Sequence, residues 1–377
     1  GLGDPVLYSL CGKSGKHNGI NVWRGSILSA FGRKTIFTWH PAAELHGAAG
    51  EGTAATFRSW QRYVRKFDIA RAVAQSEFKE TRTVPRLLHV ARSSSDVYRF
   101  LEKNRHEQYC AIDIEAIESI PVCIGLSFQP HEGFCIPLWN TLPIHCDNTA
   151  KPKKSYSYNL KVSTIPTGDL AYIWQFLAQF FLDNKFKFIG QNFKYDEDKI
   201  NRLGFYLHSL FYDIMIGSHA ISSEMPKGLA FQTSTWTEEP YYKFEGRNFI
   251  PGKDKIDDLF LYNCKDACVT REIYDRQQED LAQIPFGKEH ISWRMDMHKV
   301  YMHVDNVGFK IDELERKNLI HKYVSWLIRI EVEIFELCKK FGVTEPINIR
   351  SHPQVSKLVY ETMNVPKREG TGEQVVT

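Results

Sequence analysis

Apolar and polar positions along the chain fall into three regimes. Over residues 1–75 the spacing predicts a helix near Pro5–Leu10, a short strand at Lys34–Trp39 and a helix over Thr53–Gln75. In that last stretch Phe57, Trp60, Val64, Phe67 and Ala70 recur at helical intervals. Cys11–Gly19 and Gly47–Gly52 read as loops. Glu77–Thr83 is charged and lacks apolar periodicity, so it reads as a linker. From Arg86 onward short apolar runs alternate with amphipathic stretches. Strands are expected at Arg86–Val90, Tyr109–Ile114, Val122–Phe128, Gly133–Pro137 and Lys187–Ile189. Helices are expected at Ser95–Lys103, with a Ser/Asp start signal, and at Asp169–Leu182 and Lys194–Leu203. Thr141–Thr164, polar and Lys-rich, reads as a surface loop. The alternation implies an α/β unit, a mixed sheet covered by helices. After Pro285 the spacing changes again. Ile320, Tyr323, Leu327, Ile330, Ile334, Leu337 and Phe341 make a seam on one long amphipathic helix, which should pack on a neighbour. Pro353–Met363, entered by Ser351, is a further helix.

Composition narrows the picture modestly. The 377 residues are 43% hydrophobic and 25% charged, which excludes a disordered chain, a collagen-like repeat and a disulfide-stapled miniprotein. The length suits two or three domains. With 48 Lys+Arg against 45 Asp+Glu the net charge is +3, so any nucleic-acid contact must come from local basic patches. The eight cysteines show no CxxC pair and no Cys/His zinc spacing, as for reduced thiols in a cytoplasmic protein. No apolar run reaches the roughly 18 residues of a membrane span. The opening GLGDP, without Met or a basic leader, and the close at Thr377 suggest a piece of a longer protein.

Candidate chemistry lies in the middle regime. Ala111-Ile-Asp-Ile-Glu115 sets Asp113 and Glu115 two apart on an apolar strand, so both carboxylates share one face. Two like charges side by side are expensive unless cations bind between them, and hard divalent ions take oxygen ligands. Ile189-Gly-Gln-Asn-Phe-Lys-Tyr-Asp196 ends a strand at Gly190. Asn192 there is suited to cap the next helix, and Asp196 should share a helix face with it. Tyr262-Asn-Cys-Lys-Asp266 places Tyr262 and Asp266 at i,i+4 on one helix face. Each motif alone is commonly a solvated rim, a cap or a core tyrosine. Their order and spacing are more specific.

DxE, then N-x-x-Y-D, then Y-x-x-x-D resembles the three exonuclease motifs of the DEDD superfamily in its Tyr-containing subclass. Phe211-Tyr-Asp213 followed by Ile-Met resembles the segment after the second motif, where an Asp ends a strand and enters a helix. Leu229–Tyr242 and Lys243–Gly246 resemble the corresponding segment of bacterial and phage family A DNA polymerases. Met297–Asp312 resembles the junction from exonuclease to thumb, and Asn348–Pro366 with Thr371-Gly372 resembles text after the thumb helices. This implies a ribonuclease H-like exonuclease domain over 85–285, a linker at 76–84, and a truncated start of the polymerase domain at 286–377. It further implies proofreading hydrolysis of 3′-terminal DNA phosphodiesters to nucleoside monophosphates. Two divalent ions, Mg²⁺ or Mn²⁺, would sit about 3.5–4 Å apart. Asp113, Glu115, Asp196 and Asp266 would serve the metals, Tyr262 would orient the attacking water, and Asn192 and Tyr195 would contact substrate. The implied partners are DNA, as a single-stranded 3′ end or a primer-template, and a downstream polymerase domain of the same chain, in the cytoplasm of a bacterial or phage-infected cell. A ribonuclease of the same superfamily, of RNase D type, and a non-catalytic DNA-holding fold stay open.

Gly19–Leu28 and Arg33–Leu45 resemble the C-terminal half of uracil-DNA glycosylase-like domains, with His40-Pro41-Ala42 at the position of their His-Pro turn. Residues 1–75 are thus expected to be a partial unit of that kind, with His40 marking a vestigial base site. The early Gly-rich motif of that family is missing, so uracil excision is not expected. Lys13, Lys16, Arg24, Arg33 and Lys34 lie in or beside its loops, where they could contact phosphate.

Overall fold

The computed structural model describes residues 1–13, 19–41, 59–78, 85–147, 155–207, 210–247 and 249–366. The chain divides into two compact units, 1–303 and 304–377. The first opens with α1 (Gly3–Cys11), α2 (Ile20–Trp23), a hairpin of β1 (Ile27–Ala30) and β2 (Arg33–Ile36), and α3 (Ser59–Ser76). There follow β3 (Leu87–Val90), α4 (Ser94–Lys103), β4 (Tyr109–Ile117), β5 (Ile120–Gln129) and β6 (Glu132–Pro137). Next come β7 (Thr141–Asp147), β8 (Ser155–Lys161), α5 (Thr167–Leu182), β9 (Lys187–Gly190), α6 (Lys194–Arg202) and β10 (Leu210–Asp213). The unit continues through α7 (Ile214–Ile221), α8 (Leu229–Trp236), α9 (Phe244–Arg247), α10 (Ile256–Leu281) and most of α11 (Gly287–Val307).

Six strands form the central sheet in the order β10-β9-β4-β5-β6-β3. β4, β5 and β6 make an antiparallel meander, while β9 joins β4, β10 joins β9 and β3 joins β6 in parallel. The two faces differ in side-chain size. Ile112, Ile114, Ile124, Leu126, Phe134 and Ile136 turn to one face and pack against the apolar sides of α4 and α5, through residues such as Phe100, Leu177 and Phe181. The alternate positions on the other face are small. Gly125 and Gly133 let α10 lie against the backbone: a Cβ on Gly125 would sit 2.6 Å from Asn263 Oδ1, and one on Gly133 2.6 Å from the Cys264 carbonyl. Period-2 geometry puts Asp113 and Glu115 on that close-approach face.

Two expectations need correction. Thr141–Thr164 is not simply a loop, because β7 and β8 pair antiparallel within it. Leu142, Leu160 and Val162, at the base of the ribbon, are buried against the body. The helix expected over Thr53–Gln75 is seen as α3 from Ser59, residues 53–58 lying outside those described; of the linker expected at 76–84, Ser76 still belongs to α3 and residues 79–84 lie outside the described residues. The seam helix forms as α12 (Glu313–Lys339), capped by Asp312, which accepts the N–H groups of Leu314 and Glu315. It is not packed along its stripe: Ile320, Tyr323 and Leu327 are 49%, 54% and 38% exposed. The last helix is α13 (His352–Lys357), which passes into a π-helical turn at Leu358–Thr362.

Candidate active site

Three carboxylates converge where α10 crosses β4. Oxygens of Asp113, Glu115 and Asp266 all lie within 4.8 Å of one another. Register explains the first two, since Asp113 pairs with Gly125 and Glu115 with Cys123, both small residues beneath α10. Helix contact explains the third. Asn263, one turn before Asp266, donates through Nδ2 to the Asp113 backbone carbonyl at 3.0 Å and to its carboxylate at 2.8 Å. That double bond fixes the helix against the strand and aims Asp266 at the pair.

Asp196 approaches from the opposite side. β9 stops at Gly190, and its pairing with β4 ends at Ala111, so the β4 edge beyond it has no strand partner among the described residues. Asp196 Oδ1 accepts the N–H of Ile114 at 3.0 Å and is 5% exposed. The turn leading to it is held by Asp213, which accepts the N–H groups of Asn192, Phe193 and Met215 at 3.1, 2.9 and 2.8 Å. Asn192 is not the helix cap expected from its sequence position. It has φ +54°, Phe193 occupies the cap without a side-chain bond, and α6 starts at Lys194. Asn192 and Asp196 therefore do not share a helix face. Tyr195, at the start of α6, is half exposed, with the Lys199 ammonium 4.9 Å from its ring centroid. His40 is exposed and stands outside the acidic group.

Sequence reading missed the cation of this site. Lys243, nearly buried, donates to Tyr262 Oη at 2.8 Å and to the Asp266 carboxylate, and the Tyr242 hydroxyl donates to the other Asp266 oxygen. Gly246 lets the Tyr262 ring lie flat against the backbone, since a Cβ there would meet the ring at 2.6 Å. The signal was present in Tyr241-Tyr-Lys243, quoted for its resemblance and given no chemistry. Asn263 and Asp213 were likewise quoted without a role.

Electrostatics follow from burial with too few cations. Burial first, then the neighbouring Asp266 charge, pushes Asp113 up to about 7, opposed by Lys243 and the Asn263 hydrogen bond. Burial and the charges of Asp113 and Asp266 push Glu115 well above the usual carboxylate range. Burial and Asp113 do the same to Asp196. Tyr262 is held as the neutral phenol by burial and by Asp266. An all-oxygen donor set that repels itself and retains one ammonium is suited to hard divalent cations.

Strand order and strand directions define an α/β fold of ribonuclease H-like kind, a mixed six-stranded sheet flanked by helices. No family model matches the chain. DNA polymerase I of Borreliella burgdorferi is 24% identical over 275 residues, covering 70% of this chain. The matched part spans 27% of that curated relative's length. Among solved structures, the POL domain of Pol1 from M. smegmatis, in complex with DNA primer-template and dNTP, covers 75% of this chain and 42% of its own at TM-score 0.47 and 11% identity. The catalytic core of RRP6 from Trypanosoma brucei covers 65% and 61% at TM-score 0.42 and 13% identity. Escherichia coli RNase D, an exoribonuclease involved in structured RNA processing, covers 56% and 50% at TM-score 0.37 and 12% identity. Among the described residues, no helix is long and apolar enough to cross a membrane.

Proposed function

We propose that this chain carries a metal-dependent 3′→5′ exonuclease that trims DNA ends, the proofreading part of a family A DNA polymerase. The observation that carries the reading is the convergence of Asp113, Glu115 and Asp266, with Asp196 and Tyr262 beside them. DNA is preferred as substrate on the likeness to DNA polymerase I. In this reading residues 85–285 form the nuclease, 286–377 begin the polymerase domain, and 1–75 are a partial glycosylase-like unit.

Asp113, Glu115 and Asp266 would hold the divalent ions, with Asp196 supporting them. When bound, such ions make water more acidic and offset the charge that builds on a leaving 3′ oxygen. The protein's own groups do the rest. Tyr262 keeps its proton and presents a hydroxyl to the attacking water, steadied by Lys243. Asn263 keeps Asp113 in register with Asp266. Asn192 and Tyr195 flank the approach to Asp196 and would contact the terminal nucleotides.

The test is a time course on 5′-labelled DNA and RNA oligonucleotides with Mg²⁺, Mn²⁺ or EDTA. Stepwise shortening of DNA that EDTA abolishes is expected. Shortening of RNA alone would move the assignment to a ribonuclease of the same fold. No shortening of either would leave a nucleic-acid-holding domain.

A further inference from the structure

The acidic site is held from outside the sheet. Tyr242 and Lys243, which grip Asp266 and Tyr262, lie on the short segment between α8 and α9, and that segment is tied to residues 1–78. Arg24 is wholly buried. It forms an ion pair with Asp68 at 3.2 Å and donates to the Ser234 carbonyl at 2.8 Å and to Thr235 Oγ1 at 3.3 Å. Thr38 Oγ1 donates to the second Asp68 oxygen at 2.6 Å, so both carboxylate oxygens are engaged. Arg71 donates to the carbonyls of Gly25, Ser234 and Thr237 at 2.7, 3.1 and 2.6 Å. The two guanidiniums thus fill the carbonyl end of α8, where a helix leaves acceptors unpaired and favours positive charge. Gly25, at φ +72°, permits this: a Cβ there would sit 2.8 Å from both Arg71 Nη1 and Asp68 Oδ1. Two residues before Lys243, the Tyr241 N–H donates to Ser26 Oγ at 3.0 Å, and Trp23 stands edge-on to the Tyr241 ring at 5.2 Å.

We infer that residues 1–78 act as a positioning element for the nuclease site, with Arg71 and Ser26 fixing the segment that delivers Tyr242 and Lys243 to Asp266. This inference rests on the metal-dependent nuclease reading. It assigns the N-terminal part a task other than base recognition or phosphate contact. The basic residues support that shift. Arg24 is buried in an ion pair, Lys34 donates to the Gln75 and Phe78 carbonyls, and Lys13 lies over the Trp23 ring at 3.7 Å, so these three have partners within the fold, whereas Arg33 is exposed and Lys16 lies outside the described residues.

The experiment compares the full chain with its Arg71→Met, Arg71→Lys and Ser26→Ala variants. Mn²⁺ affinity is read by electron paramagnetic resonance, and kcat and KM on a single-stranded DNA oligonucleotide. For Arg71→Met, Mn²⁺ binding about tenfold weaker and kcat at least tenfold lower are expected, with KM within twofold. Arg71→Lys should recover part of both losses, and Ser26→Ala should lower kcat about threefold with an unchanged melting temperature. Parent-like Mn²⁺ affinity and kcat in folded Arg71→Met would overturn the inference, as would a loss confined to KM. Should Arg71→Met unfold, Ser26→Ala decides alone, and parent-like kcat there overturns it. A parent chain that binds no Mn²⁺ defeats the metal reading, and the inference with it.

Discussion

Helices α10 and α12 are nearly equal in length, 26 and 27 residues, and both carry an apolar stripe, yet they lead different lives. Over half of α10 is buried, including polar Asn263, Asp266, Thr270 and Gln277. In α12 Cys338 is the one buried residue among those described. Amphipathic spacing therefore does not set how deeply a helix is used. What draws α10 in is the surface it meets: Gly125 and Gly133 bring backbone to backbone, and Asn263 finds both a carbonyl and a carboxylate on β4. Chemistry follows from that closeness, because a loosely packed helix could not hold Asp266 within reach of Asp113 and Glu115.

The strongest way to break the contrast is to remove its chemistry without its packing. Asp113→Ala with Glu115→Ala should lower exonuclease activity by roughly 10³-fold or more, while circular dichroism shows an intact fold, since no apolar contact of α10 is lost. Activity within tenfold of the parent would defeat the assignment. Gly125→Val attacks the packing instead. Its side chain would meet Asn263 backbone and side chain together, so a stability loss of about 3 kcal/mol by urea titration is expected, with activity falling in step. Full activity would show that Asn263 does not fix the site.

Smaller effects sharpen the same comparison. Tyr262→Phe keeps the ring against Gly246 and removes the hydroxyl, so kcat should drop about tenfold or more with DNA affinity unchanged. Weaker affinity at an unchanged single-turnover rate would make Tyr262 a substrate-holding residue. The raised Asp113 pKa carries a pH signature. Its carboxyl ordinarily titrates at 3.8 and here at about 7, so the folded state binds the extra proton. That stability is full below about pH 4 and is lost as pH rises through about 7. Melting of EDTA-treated protein should therefore weaken between those values, and Asp113→Asn should flatten the slope. An identical slope in the variant would place the strain elsewhere. Least of all, Ile320→Glu on the exposed stripe of α12 should change stability by less than about 0.5 kcal/mol. A larger loss would mean that the stripe is covered in solution.

Legibility of the sequence follows the same division. Period-2 spacing put Asp113 and Glu115 on one face, and i,i+4 spacing put Tyr262 beside Asp266, because both relations are local. Relations that depend on two distant segments were not readable. Asp196 matters through the Ile114 N–H, which is free only because β9 ends early. Asn192 looked like a cap, yet Asp213, 21 residues on, holds that turn in a left-handed conformation. Arg24 looked like a phosphate contact, but it is wholly buried in an ion pair with Asp68, and half-buried Lys34 donates to a carbonyl at the end of α3. β7 and β8 were hidden because what makes them strands is their antiparallel pairing with each other, a relation between two segments that a polar, Lys-rich stretch does not announce.

The claim beneath all of this is that the junction of β4 and α10 is a divalent-metal site. Anomalous diffraction from Mn²⁺-soaked crystals tests it most directly. Peaks ligated by Asp113, Glu115 and Asp266 are the result the account predicts; saturating Mn²⁺ with no peak among those three carboxylates would contradict it.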